Sequence, residues 1–285
     1  MKYYEVLFTL NPCTQDMRDV LSAMAGDAGF ETFEEVPTGL KGYVQQALLD
    51  REALDAIIGM FPFADAHIHY EVSEAEDRDW NEQWEQEGFD PIVVDQQLII
   101  HDGRHLGGIP DDGKYMLIEI DAHLAFGTGT HDTTRMICSE LLKRPMKGLK
   151  ILDCGCGTGI LGICALKLGA SECVAYDIDE WSADNTRHNA VINQVDDRLT
   201  VYCSDATLLD TLPTSFNVVM ANINRNILLA DMNRFHQVMA DGAILILSGF
   251  YENDCALLTD KAQSMGLSLV SERVSDHWAC LVFQR

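Results

Sequence analysis

Hydrophobic residues recur at every second position over Tyr4, Val6 and Phe8, the period of a half-buried strand. Met17, Val20, Leu21 and Met24 then follow at helical spacing, with Gly29 just past the end of the run. Residues 30–36 and 39–47 are predicted as strands joined by a turn at Pro37-Thr38-Gly39. A second helix is expected from near Asp50, with Leu54, Ile57 and Ile58 facing inward, stopping before Pro62. Residues 66–72 supply another strand. The order β-α-β-β-α-β is the split, ferredoxin-like arrangement. Such domains commonly bind RNA, but this one lacks a basic, aromatic-rich strand face, so it reads as a docking module.

The pattern breaks over 74–90, an acidic stretch in which Trp80 and Trp84, four apart, would share one face of a linker helix. Beyond Pro91, residues 98–101 and 115–120 are strand-like, and a helix is expected from about Asp132 to Leu142. From Lys150 onward short apolar runs alternate with helical patterns: 151–153, 173–177, 199–203, 217–221 and 244–247 are strands. That alternation implies a parallel sheet covered on both faces. Residues 267–274 and 278–283 are too close together for a helical crossover and form an antiparallel hairpin. Five parallel strands and a hairpin make a seven-stranded, Rossmann-like α/β domain of the class I methyltransferase type. The expected division is 1–73, a linker at 74–90, and 91–285.

Ligands of such sheets sit beyond the C-terminal strand ends, where the winding reverses. The first strand of the large sheet runs into Asp153-Cys-Gly-Cys-Gly-Thr-Gly159, with Gly155, Gly157 and Gly159 at alternate positions before a helix. Glycine there lets backbone approach a ligand, and the helix start offers amides to it. The spacing is G-x-G-x-G after an acid, not the dinucleotide G-x-G-x-x-G, and position 160 is Ile. A nicotinamide-dependent oxidoreductase is therefore the weaker reading. Asp177 closes the next strand and is placed to accept from ribose hydroxyls, with Asp179 the neighbour most easily confused with it. Asp205 follows the third strand, where it either meets an adenine amine or simply caps a helix. Asn222 ends the fourth strand; its carboxamide oxygen can orient an incoming amine. The prolines typical of enzymes that methylate flat bases are missing beside it. The loop that includes Phe126, Gly127 and Thr128 is rich in glycine and hydroxyls and can fold over a cofactor, or can be a plain connection in which Asp132 caps the next helix. His131 at that helix start is read as structural.

The formal charge of −25 argues against nucleic acid as a direct partner, because such binding draws on Lys and Arg, and favours a basic one. Nine cysteines, an odd number, in a large chain without a secretory leader or a long apolar run read as reduced thiols in a cytoplasmic protein. Cys154 and Cys156 lack the spacing of a zinc site, so no metal is expected.

Taken together, the chain resembles the ribosomal protein L11 methyltransferases (the PrmA family) over nearly its full length. The most specific part is Ala125-Phe-Gly-Thr-Gly-Thr-His-Asp-Thr-Thr134, followed by the glycine segment from Asp153, by Asp177-Ile-Asp179, and by Ala221-Asn-Ile223. The resemblance implies an S-adenosylmethionine-dependent protein-lysine N-methyltransferase that modifies lysine side chains and the N-terminal amine of a ribosomal protein. It implies a front domain that recognises the substrate, a monomer, and no membrane partner. It further implies that Thr134, Gly155, Asp177 and Asn222 contact the cofactor, with Asp153, Gly157, Asp205, Phe126, Gly127 and Thr128 alongside. Asn222 would also border the amine site. Two positions depart from the family pattern: Asp132 stands where proline is usual, and Asn224 where leucine is common. A small-molecule methyltransferase of the same fold, or another protein N-methyltransferase, is the alternative.

Overall fold

The computed structural model describes residues 3–285 apart from 28, 31, 47, 64–65, 76–87, 108, 111–112, 123–128, 130 and 213–215. Most of the expected linker helix, with Trp80 and Trp84, and the loop residues Phe126, Gly127 and Thr128 lie outside the described residues. The chain divides into two compact units, Met1–Asp79 and Trp80–Arg285.

The first unit runs β1 (Tyr3–Asn11), α1 (Gln15–Asp27), β2 (Thr32–Val36), β3 (Gly39–Gln45), α2 (Arg51–Gly59) and β4 (His67–Glu74). Its four strands form an antiparallel sheet in the order β2-β3-β1-β4, the ferredoxin-like topology that the hydrophobic pattern implies. Central β1 alternates strictly: Val6, Phe8 and Leu10 point into a core shared with Leu21, Leu40, Val44 and Leu54. Helix α2 starts where it does because the Asp50 carboxylate accepts from the amides of Glu52 and Ala53, both at 3.0 Å.

The second unit opens with a three-stranded sheet in the order β5-β6-β7: β5 (Ile92–Val94), β6 (Leu98–His101) and β7 (Met116–Glu119). Strand β5 has three residues, of which only Val94 is buried, too short a run to show alternation in the sequence. Then come α3 (Asp132–Leu142), β8 (Lys150–Cys154), α4 (Ile160–Lys167), β9 (Glu172–Asp177), α5 (Glu180–Ile192), β10 (Leu199–Cys203), β11 (Phe216–Asn222), α6 (Arg225–Val238), β12 (Met239–Tyr251), α7 (Cys255–Ser264), β13 (Ser268–Ser275) and β14 (Trp278–Gln284).

These strands build the expected seven-stranded sheet, ordered β10-β9-β8-β11-β12-β14-β13. The first five are parallel and β14 is antiparallel to both of its neighbours. Asp276 and His277, with φ of 46° and 66°, form the two-residue turn that makes β13–β14 a hairpin. Side-chain parity assigns the two faces. Ile151 and Met220 pack into the core that Met136, Ile163 and Ala190 reach from α3, α4 and α5, whereas Leu152 and Val219 face Leu228, Met232 and Leu258 from α6 and α7. Winding reverses between β8 and β11, so the crevice of the sheet opens at their C-terminal ends. No helix among the described residues is long and apolar enough to cross a membrane.

Phe8 is fully buried in the first core and contributes to no cluster of the second unit. Phe8→Ala should therefore destabilise that unit by ~3–5 kcal/mol. Hydrogen exchange would show amides of β1–β4 losing protection while those of β8–β14 keep it; equal losses in both units would contradict the division.

Candidate functional site

Strand β8 gives way to a loop in which Gly155, Gly157 and Gly159 all adopt positive φ, at 71°, 53° and 81°. A side chain is strained in that region. Space forbids one as well: a Cβ at Gly155 would lie 2.5 Å from Ile223 Cγ2, and one at Gly159 would lie 2.8 Å from Thr186 Cγ2. The loop is anchored to the neighbouring strand by the amides of Gly155 and Cys156, which donate to the Tyr176 carbonyl at 2.8 and 3.1 Å. Gly159, the cap residue of helix α4, makes no side-chain bond, and the Asp153 carboxylate takes the first-turn amide of Gly162.

Asp177, the last residue of β9, turns back onto this loop. Its Oδ2 accepts from the Gly157 amide and its Oδ1 from the Asp179 amide, each at 3.0 Å. Asp205 stands beyond β10, exposed, with Oδ1 accepting from the Thr207 amide at 2.9 Å, the helix-cap geometry of the two options its sequence position allows. These bonds to Thr207 hold its carboxyl below the ordinary carboxylate range.

Asp153 and Asn222 face the same side of the sheet. Asp153 pairs in register with Met220, and Asn222 is two residues further along the same strand. The two side chains share one feature: Asp153 Oδ1 and Asn222 Oδ1 are buried with no hydrogen-bond partner. Asp153 Oδ2 accepts from the Gly162 amide at 2.9 Å, and Asn222 Nδ2 donates to Thr134 Oγ1 at 3.4 Å. Burial pushes the Asp153 carboxyl up to about 7; the Gly162 amide opposes the rise and the charge of Asp177 adds to it. Two orphaned acceptors suit a ligand that carries positive charge or donates hydrogen bonds. With the glycine loop and the Asp177 carboxylate they fit a cationic sulfonium nucleoside, such as S-adenosylmethionine, better than an anionic one.

Helix α3 contributes Thr134 through its first turn. The cap of that turn is His131, one residue ahead of the Asp132 that the sequence suggests: Nδ1 accepts from the Thr133 amide at 3.3 Å, and Thr133 Oγ1 lies 2.8 Å from the same nitrogen. Asp132 is thus the first helical residue and pairs with Arg135. Proline and an acid both suit that position, which accounts for Asp132 standing in proline's place. Asn224 has a similar explanation. It is the N-cap of α6, with its side-chain oxygen accepting from the Ile227 amide at 3.1 Å, so it acts on the helix rather than as a free rim group.

Two residues that sequence reasoning missed complete the site. Gly249, with φ of 90°, is the bulge in β12 between Ser248 and Phe250. A Cβ there would lie 2.6 Å from the backbone oxygen of Ile223. Ile223 is therefore wedged between Gly155 and Gly249, which sets the adjoining Asn222. Trp278 is the other: His131 meets its ring edge-on at 4.6 Å and the Tyr251 ring lies tilted beside it at 4.3 Å. The Ser-Gly pair at the end of a strand was the one signal available for Gly249. Nothing local in the sequence pairs Trp278 with His131.

The chain matches the family model described as Ribosomal protein L11 methyltransferase (PrmA) over residues 22–285. It is 43% identical over 283 residues to a protein of Phocaeicola vulgatus named ribosomal protein L11 methyltransferase, covering 99% of each chain. A relative of the same name from Porphyromonas gingivalis is 39% identical over 289 residues, covering 99% of this chain and 98% of that one. The crystal structure of a ribosomal protein L11 methylase from Lactobacillus delbrueckii subsp. bulgaricus superposes with a TM-score of 0.63 at 25% identity, over 69% of this chain and 99% of that one.

Asp153 binds its proton more tightly in the folded protein, at about 7, than at its ordinary 3.8. Its contribution to stability is thus full below 3.8 and is lost as pH rises through 7. Asp153→Asn retains an acceptor for the Gly162 amide and cannot ionise. In ligand-free protein the fall in Tm from about pH 5 to about pH 8 should be shallower for the variant. Parallel curves from scanning calorimetry would remove Asp153 from the pH dependence.

Proposed function

The chain belongs to the ribosomal protein L11 methyltransferase (PrmA) family, and from that premise we propose that it methylates lysine side chains and the N-terminal amine of ribosomal protein L11. The protein is an S-adenosylmethionine-dependent protein methyltransferase of the class I fold. It acts as a monomer in the cytoplasm, on the free or ribosomal protein rather than on nucleic acid, and its ferredoxin-like unit recognises the substrate. The observation that carries the reading is the Asn222 carboxamide: its oxygen is buried without a partner at the C-terminal end of β11, while its nitrogen is engaged by Thr134.

When bound, S-adenosylmethionine supplies the methyl group as an electrophilic sulfonium carbon. Gly155 and Gly157 would hold it through their backbone, Asp153 and Thr134 through their polar side chains and Asp177 through its carboxylate, while Asp205, the cap of the turn after β10, would stand beside that set. Phe126, Gly127 and Thr128 belong to the same binding set. Asn222 Oδ1 accepts a hydrogen bond from the incoming amine and so aims its lone pair. A lysine must first lose a proton, which costs ~4.6 kcal/mol at pH 7 for a pKa of about 10.4. Holding two reactants in line supplies ~7–11 kcal/mol, so no dedicated base is required. The charge of −25 draws a basic protein in at long range.

Labelled S-adenosylmethionine incubated with purified L11 should place label on its amines; no transfer to L11 from a cofactor-bound enzyme would reject the substrate. Asn222→Ala should slow single-turnover transfer by ~10²-fold while changing cofactor Kd little, because it removes orientation rather than binding. Asp177→Ala should do the reverse and raise Kd. Equal effects of the two substitutions on Kd would remove the distinction between them. The KM for the protein substrate should also rise several-fold from about 50 mM to about 300 mM salt, as screening weakens long-range attraction. A salt-independent KM would show that the acidity serves solubility alone.

A further inference from the structure

Helix α5 carries a stripe of buried polar side chains that the proposed chemistry leaves unused. Asn185, Asn189 and the C-cap residue Asn193 stand at intervals of four, and the first and last are nearly as inaccessible as the middle one. They bond the backbone of β7 and its continuation. The Asn193 oxygen accepts from the Glu119 amide at 3.1 Å and its nitrogen donates to the Glu119 carbonyl at 2.7 Å. Two residues on, the Asn189 oxygen accepts from the Asp121 amide at 2.9 Å, and Asn185 Nδ2 donates to the Asp121 carbonyl at 2.8 Å. Four helical residues rise ~6.0 Å and two strand residues ~6.6 Å, so carboxamides at this spacing can substitute for a neighbouring strand.

The same face also reaches the glycine loop. Asn189 Nδ2 donates to the Thr158 carbonyl at 2.9 Å and to Asn185 Oδ1 at 3.1 Å. Thr186 Oγ1 donates to the Gly157 carbonyl at 2.8 Å, and both Thr186 and Asn189 are fully buried. Consecutive carbonyls of the loop are thereby pulled toward α5. A planar trans peptide sets its N–H opposite its C=O, so holding the Gly157 carbonyl against α5 turns the Thr158 amide away from that helix. An uncommitted glycine-rich loop would lose far more conformational freedom on meeting a ligand.

We propose that Thr186 and Asn189 are positioning residues for cofactor binding: they orient the loop 155–159 through its outward carbonyls, and Asn189 ties that loop to the Asp121 backbone. The inference rests on the reading that this loop holds S-adenosylmethionine. A fold-only role is separable from it, because Asn193 bonds β7 and not the loop, whereas Thr186 bonds the loop and not β7.

Calorimetric titration of the full-length protein with S-adenosylhomocysteine, which has the same nucleoside, tests this. Thr186→Val keeps the shape and loses the donor, and should raise Kd about ten-fold, equivalent to ~1.4 kcal/mol. Thr186→Ser keeps the hydroxyl and should return Kd to within about twofold of the wild type. Asn193→Ala should lower Tm yet leave Kd within about twofold, since it removes bonds to the Glu119 backbone and to the Asn189 carbonyl but none to the loop. Unchanged binding in Thr186→Val, a failure of Thr186→Ser to restore it, or equal weakening in Asn193→Ala would each overturn the inference. Wild-type protein that does not bind would overturn the underlying reading as well, so the two failures are told apart by the wild-type titration.

Discussion

Glycine backbone must approach Ile223 and Thr186 with no side chain of its own at the head of the larger sheet, and the rest of the site depends on that closeness. Ile223 lies between Gly155 and Gly249, and Thr186 lies against Gly159, at separations no Cβ could share. The glycines come from the loop after β8 and from β12, so the constraint is collective. It brings the ends of β8, β11 and β12 to one place and fixes the strand that carries Asn222.

A second consequence is electrostatic. The compact arrangement buries Asp153 and Asn222 with one oxygen of each unpartnered. An orphaned buried acceptor costs ~1–3 kcal/mol, a sizeable part of a domain's net stability. Folding alone would favour apolar residues there. The cost becomes intelligible if a cationic ligand satisfies the Asp153 oxygen and an incoming amine the Asn222 oxygen, which links the proton affinity of Asp153 to occupancy of the crevice.

Polar side chains elsewhere do architectural work. Asp50 and Asn224 start helices, and His131 caps α3 so that Thr134 faces Asn222. The asparagine face of α5 satisfies backbone groups of β7 and its continuation that have no neighbouring strand on that side among the described residues. Such groups would otherwise need another strand or water. These residues separate what the family likeness makes variable, such as Asn224 in place of leucine, from what the chemistry would require.

Periodicity alone determined much of this protein. The ferredoxin-like order of the first unit, the alternating strands and helices of the second, and the closing hairpin all follow from spacing of apolar residues, because strand and helix bury their faces at fixed intervals. The acid near the end of β8 with the glycines that follow it, and the carboxylate that closes β9, were legible because they stand together at strand ends in the sequence. Strand β5 was not, since three residues show no period, and the cap of α3 was displaced from Asp132 to His131 because capping depends on φ and ψ rather than on residue type. Tertiary structure alone decided that Gly249 makes room for Ile223, that Trp278 meets His131, and that Asn189 bridges strand and loop. Those partners lie far apart in sequence, and only the closing of the sheet brings them within reach.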